Sequence, residues 1–141
     1  MAATEDEVVD TLASLAIFAD LSRPELEHIA HELDEQYFPQ DQRVLRQGLS
    51  GSALYIILEG EAAAVASGER VNTLARGDFF GEISVLLGEP PTADVVAIRP
   101  LRCLVLAGDQ LERFLIEHPR VSYRILQSEA RKLRNATRRK S

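Results

Sequence analysis

The 141 residues include one cysteine, one methionine and no tryptophan, and aromatics make up only 6% of the chain. A lone thiol, Cys103, can form no internal disulfide, and its place inside an apolar run predicts a small buried side chain. Long hydrophobic stretches are also missing. The longest, Ala53 to Leu58 and Leu101 to Ala107, fall far short of the roughly 20 residues that cross a bilayer, so no membrane span is expected. The N-terminal stretch lacks cations: Glu5, Asp6, Glu7 and Asp10 stand where a secretory signal would carry basic residues and then an apolar core. A cytoplasmic protein is the expectation. What the composition does supply, 45% hydrophobic and 27% charged residues, is ordinary for one globular domain of this length.

Positive charge is scarce until the end of the chain. Of 16 cations set against 22 acids, Arg131, Lys132, Arg134, Arg138, Arg139 and Lys140 follow the last acid, Glu129. The 10 remaining cations leave a net −12 before Arg131. A body that acidic repels nucleic acid through its summed field, so a polyanion could meet only the tail or a small local pocket.

Helical spacing opens the chain. Val8, Leu12, Leu15 and Ala16 form one amphipathic segment, and Ser22-Arg23-Pro24-Glu25 then reads as a capping box, with Pro24 tolerated in the first turn. Leu26, Ile29, Ala30 and Leu33 make the stripe that follows. From Tyr37 to Leu106 the texture changes to short β-like runs punctuated by Gly48, Gly51, Gly60, Gly68, Gly77, Gly81 and Gly88. Two strands are expected around Glu59-Gly60-Glu61, a further turn at Ser67-Gly68-Glu69, and runs at 70–74, 93–98 and 101–106. The total is about eight strands, as in a jelly roll. Helical spacing returns with Leu111, Phe114 and Leu115, stops at His118-Pro119, and resumes in a last helix from about Arg120.

The chemistry concentrates in Gly77 to Val95, Gly-Asp-Phe-Phe-Gly-Glu-Ile-Ser-Val-Leu-Leu-Gly-Glu-Pro-Pro-Thr-Ala-Asp-Val. A brief helical turn, Ile83 to Leu87, interrupts the strands, and its leading amides are expected to point into a loop made by Phe79, Phe80 and Gly81. Helix N-termini attract anions through orphan N–H groups and a partial positive charge. Gly81 lets the backbone approach a ligand, Glu82 offers an acceptor for a sugar hydroxyl, and Thr92 with the amides near Ala93 can donate from the other side. Such a set suits a phosphate on a ribose.

These residues resemble the cyclic nucleotide-binding domain family, from about Phe18 to the end of the last helix. Val44-Leu45-Arg46-Gln47-Gly48 and Ala53 to Glu61 match the family's second and third strands and their glycine turn. Gly77-Asp78-Phe79-Phe80-Gly81-Glu82-Ile83 is similar to the start of its phosphate-binding cassette. Leu104-Val105-Leu106, Phe114 and Pro119 resemble the last strand and the helix beyond it. The resemblance implies a mainly β fold with flanking helices: an eight-stranded double-stranded β-helix (jelly roll, or β-roll) with N-terminal helices and a C-terminal lid helix. It divides the chain into an N-terminal helical segment 1–20, a β-roll 21–119 and a C-terminal helix 120–141 with a basic end. It further implies cAMP or cGMP as ligand, with Phe80, Gly81, Glu82, Ile83, Ser84, Pro91, Thr92 and Ala93 lining the site, Glu82 on the ribose 2′-hydroxyl and cassette amides on the cyclic phosphate.

The chain departs from the family at one position. The family's Pro-Arg-(Ala/Ser/Thr)-Ala pattern reads Pro90-Pro91-Thr92-Ala93 here, so Pro91 stands where an arginine clamps the phosphate. A charge-assisted hydrogen bond contributes about 1.5–3 kcal/mol, and about 1.4 kcal/mol is tenfold in affinity. Micromolar binding would fall towards millimolar. Three outcomes stay open: Arg76, Arg99 or Arg102 substitutes, a different ligand binds, or the pocket is vestigial.

Other functions find less support. His28, His31 and Glu32 share a helix, but their spacing is not that of the zinc motifs, which place two histidines four apart around a glutamate or reverse that order; a solvated helix face is expected, with no metal and no cofactor. No strained-elbow nucleophile is present, so no catalytic residue and no enzyme are expected. Arg131, Arg134 and Arg138 recur at helical spacing, but the few residues that remain after them leave no room for the helix-turn-helix reader of transcriptional relatives, so no DNA-binding domain is expected here. Expected partners are the small-molecule cyclic nucleotide and, through the terminal helices, a second copy or a regulated protein. The alternative to ligand sensing is a β-roll that has lost its ligand and serves as an interaction or dimerisation module.

Overall fold

Eight strands make up the glycine-punctuated middle of the chain in the computed structural model, which describes residues 4–49 and 53–139. They are β1 (Asp34–Phe38), β2 (Arg43–Leu45), β3 (Ala53–Glu59), β4 (Ala62–Ala66), β5 (Glu69–Leu74), β6 (Phe79–Phe80), β7 (Asp94–Ala97) and β8 (Leu101–Ala107). Five α-helices, α1 (Glu5–Ala13), α2 (Arg23–Glu32), α3 (Glu82–Leu87), α4 (Gly108–Glu117) and α5 (Pro119–Arg139), and a short 3-10 helix at Ala16–Phe18 complete the order. The sequence markers Gly51 and Lys140 lie outside the described residues. The chain divides into two compact units, one of residues 31–112 and the other of the residues up to Ala30 together with those from Arg113 onward.

In the first unit the strands form two antiparallel four-stranded sheets, ordered β1-β8-β3-β6 and β2-β7-β4-β5. Phe38, Ile57, Ala62, Ala97, Leu101 and Cys103 are among the buried residues of the core cluster. β3 is inner in its sheet, pairing β8 on one side (Tyr55 opposite Val105) and β6 on the other (Tyr55 opposite Phe80). Its side chains alternate between faces, yet Leu54, Ile56 and Leu58 are as fully buried as Ile57. That double burial explains an unbroken apolar run in place of an alternating one.

Turn chemistry sets the register. Ser67 and Gly68 between β4 and β5 both have positive φ, 52° and 83°, the signature of the hairpin turn whose twist matches its strands. A bulge between Ile57 and Glu59 breaks the ladder to β8. The Leu58 carbonyl at that break accepts from Arg76 Nη1 at 3.1 Å, which supplies a partner that the ladder does not.

Two local expectations need correction. β1 begins at Asp34, ahead of the expected Tyr37, because its pairing with β8 (Asp34 opposite Val105) extends a polar stretch that has no apolar alternation. Phe79 and Phe80 form a short strand, not a loop; two residues carry no period, and only pairing with Ile56 and Tyr55 makes them one.

In the second unit Thr4 caps α1, accepting from the Glu7 amide at 3.2 Å while the Glu7 carboxylate accepts from the Thr4 amide at 3.0 Å. Ser22 accepts from the Glu25 amide at 3.3 Å, so α2 starts where its sequence signal falls. The returning arm of the expected box is not made: the Glu25 carboxylate turns to His118 Nδ1, 3.7 Å away. Arg23 joins α2 to Asp6 and Asp10 at 2.8 and 3.4 Å. Pro119 opens α5 at the position where a missing N–H costs nothing. Val121 and Ile125 are buried, whereas Tyr123, Leu126 and Leu133 are exposed. Among the described residues no helix is long and apolar enough to cross a membrane.

Candidate functional site

Gly81 joins β6 to α3 at φ 90° and ψ −13°, in the left-handed region. A Cβ there would lie 2.1 Å from the Ala53 carbonyl oxygen of β3, so backbone approaches backbone where no side chain fits. That approach seats the start of α3 on β3. The helix is six residues long and no side chain caps its N-terminus. Its first helical hydrogen bond runs from the Val85 amide to the Gly81 carbonyl at 3.5 Å, which leaves the amides of residues 82–84 outside the ladder. Glu82 sits beside them with 4% of its surface exposed, and a carboxylate in a helix's first turn is electrostatically favoured.

The far end of α3 is tied off locally. Gly88 takes the left-handed cap conformation, the Ser84 hydroxyl donates to the Glu89 carbonyl at 2.5 Å, and the Glu89 amide returns to the Ser84 carbonyl at 3.1 Å. Ser84 therefore fixes the cassette helix with its side chain. Phe80 is likewise committed to the core, 6% exposed, its ring stacked on Tyr55 with centroids 4.8 Å apart and planes 3° from parallel. Burial raises the Tyr55 hydroxyl's pKa. Ile83, by contrast, is exposed, and so are Leu86 and Leu87.

The second group of predicted residues leans on the loop after β2. Pro91 is buried, and its carbonyl accepts from the Gly48 amide at 2.9 Å. Asp94 accepts from the Gln47 amide at 2.6 Å and lies 3.6 Å from Arg43 Nε. Thr92 is exposed and Ala93 half-buried between these anchors. No sequence signal marks Gln47, Asp94 or Tyr55 as supports for the site. Only Gly48, in the left-handed region at φ 77°, offered a legible signal there.

The three arginines considered as substitutes are engaged elsewhere. Arg76 donates to Leu58, Arg99 Nε lies 3.0 Å from Glu61, and Arg102 is hydrogen-bonded to Glu35. Leu58 and Glu61 mark the end of β3 remote from Ala53, and Arg102 sits opposite Glu59. Six residues of strand separate Ala53 from Glu59, about 20 Å at strand rise. From Gly77 to Ile98 the chain carries Asp78, Glu82, Glu89 and Asp94 and no lysine or arginine.

Strands, cassette helix and seating glycine define a class of regulatory β-roll, and comparison with known proteins gives the family. The cyclic nucleotide-binding domain profile matches residues 35–118, and the chain belongs to that family. It is 33% identical over 119 residues to a cGMP-dependent protein kinase of Eimeria tenella, covering 84% of this chain and 12% of the kinase. With a cAMP-dependent protein kinase regulatory subunit of Mucor circinelloides f. lusitanicus it shares 35% over 108 residues, 74% of this chain and 25% of that one. The chain thus spans a quarter or less of these relatives, and the matching region is their nucleotide-binding kind of domain, not a whole kinase. The crystal structure of a cyclic nucleotide-binding domain from Methylobacillus flagellatus superposes with a TM-score of 0.80 at 26% identity, over 96% of this chain and 81% of that one.

Proposed function

We propose that this chain is a non-catalytic, cytoplasmic ligand-sensing module that binds cAMP or cGMP weakly and relays occupancy through α5. The observation that carries the proposal is the left-handed Gly81 pressed on Ala53, which sets uncapped first-turn amides next to the buried Glu82. In this reading Glu82 accepts from the ribose 2′-hydroxyl. The amides from Gly81 to Ser84 hold the cyclic phosphate over Phe80, and Thr92 with the Ala93 amide donates from the opposite side. Pro91, at the arginine position, supplies neither charge nor N–H. A partner or second copy would read α5 on the face that exposes Tyr123, Leu126 and Leu133.

Isothermal titration calorimetry with cAMP and with cGMP, on the wild type and on Pro91→Arg, tests the proposal. The wild type should bind with near-millimolar affinity, and the variant should bind about 10- to 100-fold more tightly, the equivalent of about 1.5–3 kcal/mol for one charge-assisted bond. Absence of heat from both, with the β-roll folded, would leave the ligand-free interaction module as the better reading.

A second reading is favoured by the acidic, cation-free stretch from Gly77 to Ile98. An uncharged purine nucleoside could use Glu82 without bringing an anion that needs neutralising. Adenosine and guanosine titrated in the same way separate it from the first: tighter binding than their cyclic phosphates supports it.

A further inference from the structure

We propose that His28, Glu117 and His118 form a zinc-binding site in the helical unit, away from the cassette. One ligand atom from each of these residues, and one from Glu32 four positions after His28 in α2, lie within 4.8 Å of one another. The three come from three elements: His28 from α2, Glu117 from the last turn of α4, and His118 from the break before α5. Of the α2 residues considered together on spacing, His28 and Glu32 belong to the cluster and His31 does not. The fold supplies instead a histidine 90 positions further on, which no helical period could reveal.

Two imidazoles and a carboxylate are a borderline-soft donor set. They suit zinc and lack the oxygen shell that calcium or magnesium needs. Zinc holds such donors at about 2.0–2.2 Å, so they stand roughly 3.3 Å apart around a tetrahedral ion, with Glu32 or water in the fourth place. Closing from 4.8 Å takes about 1.5 Å, within reach of side-chain rotation because His28 and Glu117 are solvent-exposed. His118 is the fixed member. It is 3% exposed, with its ring 4.7 Å from that of Phe114 and 5.7 Å from that of His28.

The surroundings supply an outer shell. Glu25 Oε2 lies 3.7 Å from His118 Nδ1, beyond hydrogen-bond distance; a small approach would give the histidine the carboxylate that fixes the tautomer of a metal ligand, with Nε2 then facing the metal. Glu117 Oε1 accepts from Arg113 Nε at 3.1 Å, which orients the carboxylate and leaves it a second oxygen. Zinc here would fasten α2 and α4 to the first residue before α5, the helix proposed to relay occupancy.

The test is calorimetric titration of zinc chloride into the EDTA-treated, dialysed full chain, repeated on His28→Ala, Glu117→Gln and, as a control, His31→Ala. Both altered residues are exposed, so the variants should fold, and circular dichroism checks that they do. The expected result is one zinc per chain at micromolar affinity, weakened at least about tenfold in His28→Ala and Glu117→Gln and unchanged in His31→Ala. Cobalt(II) should show tetrahedral visible absorption in the wild type that both variants lose. Zinc uptake that survives both substitutions, or none by the wild type at 100-micromolar metal, on the order of a hundredfold above the expected dissociation constant, overturns the site.

Discussion

Replacing Gly81 by alanine asks the most of the structure. The new Cβ would lie 2.1 Å from the Ala53 carbonyl oxygen, 3.3 Å from its carbon and 3.2 Å from Tyr55 Cδ2. The first two belong to the backbone of an inner strand and cannot swing away. A non-glycine residue at φ 90° costs about 1–2 kcal/mol, and forcing apart a packed contact adds about 1–3 kcal/mol. The sum, about 2–5 kcal/mol, is a large fraction of the roughly 5–15 kcal/mol that holds a domain together. Gly88→Ala is the matched control, because φ is again positive at 66° but nothing lies within 4 Å of its Cβ. It should lose only the conformational part, about 1–2 kcal/mol. Urea unfolding followed by circular dichroism measures both, and at about 4 °C per kcal/mol Gly81→Ala should also melt some 8–20 °C lower. Equal losses in the two variants would show that β6 and α3 do not press on β3, and the geometry of the cassette would fall with that contact.

Three further outcomes are expected. Ile57→Ala removes a fully buried side chain and should cost about 2–5 kcal/mol in the same denaturation assay. Burial pushes the Cys103 thiol from its ordinary 9.0 up to about 12, so alkylation should be slow in the native protein; the native state holds this proton more tightly than the unfolded chain, and stability measured by urea titration should decline as pH rises from 9 through about 12. Burial pushes the Glu35 carboxyl upward, but hydrogen bonds from Arg102 and from the Tyr37 hydroxyl bring its pKa below the ordinary value; its contribution is present above about pH 4.5 and is lost as the solution is acidified through the depressed native value. Arg102→Met leaves only the Tyr37 hydrogen bond to oppose burial, so it should weaken or reverse that acid dependence and cost about 1–3 kcal/mol.

Element types and turns came from short-range chemistry. Ser22 and Pro24 placed the start of α2, Ser67-Gly68 placed a hairpin, and Pro119 separated α4 from α5, because caps, turns and proline act within a few residues of where they are written. The cassette was legible for the same reason: Gly81, Glu82 and Gly88 are neighbours in the chain, and the departure at Pro91 needed no coordinates. Tertiary structure decided which of these residues face solvent and which are held. It stacked Phe80 on Tyr55, tied the Ser84 hydroxyl to Glu89, and carried Arg76, Arg99 and Arg102 to the remote end of β3. It also brought His118 to His28. Each of those outcomes depends on strand register or helix packing between segments far apart in sequence, and neither propensity nor spacing encodes the distance between two such segments.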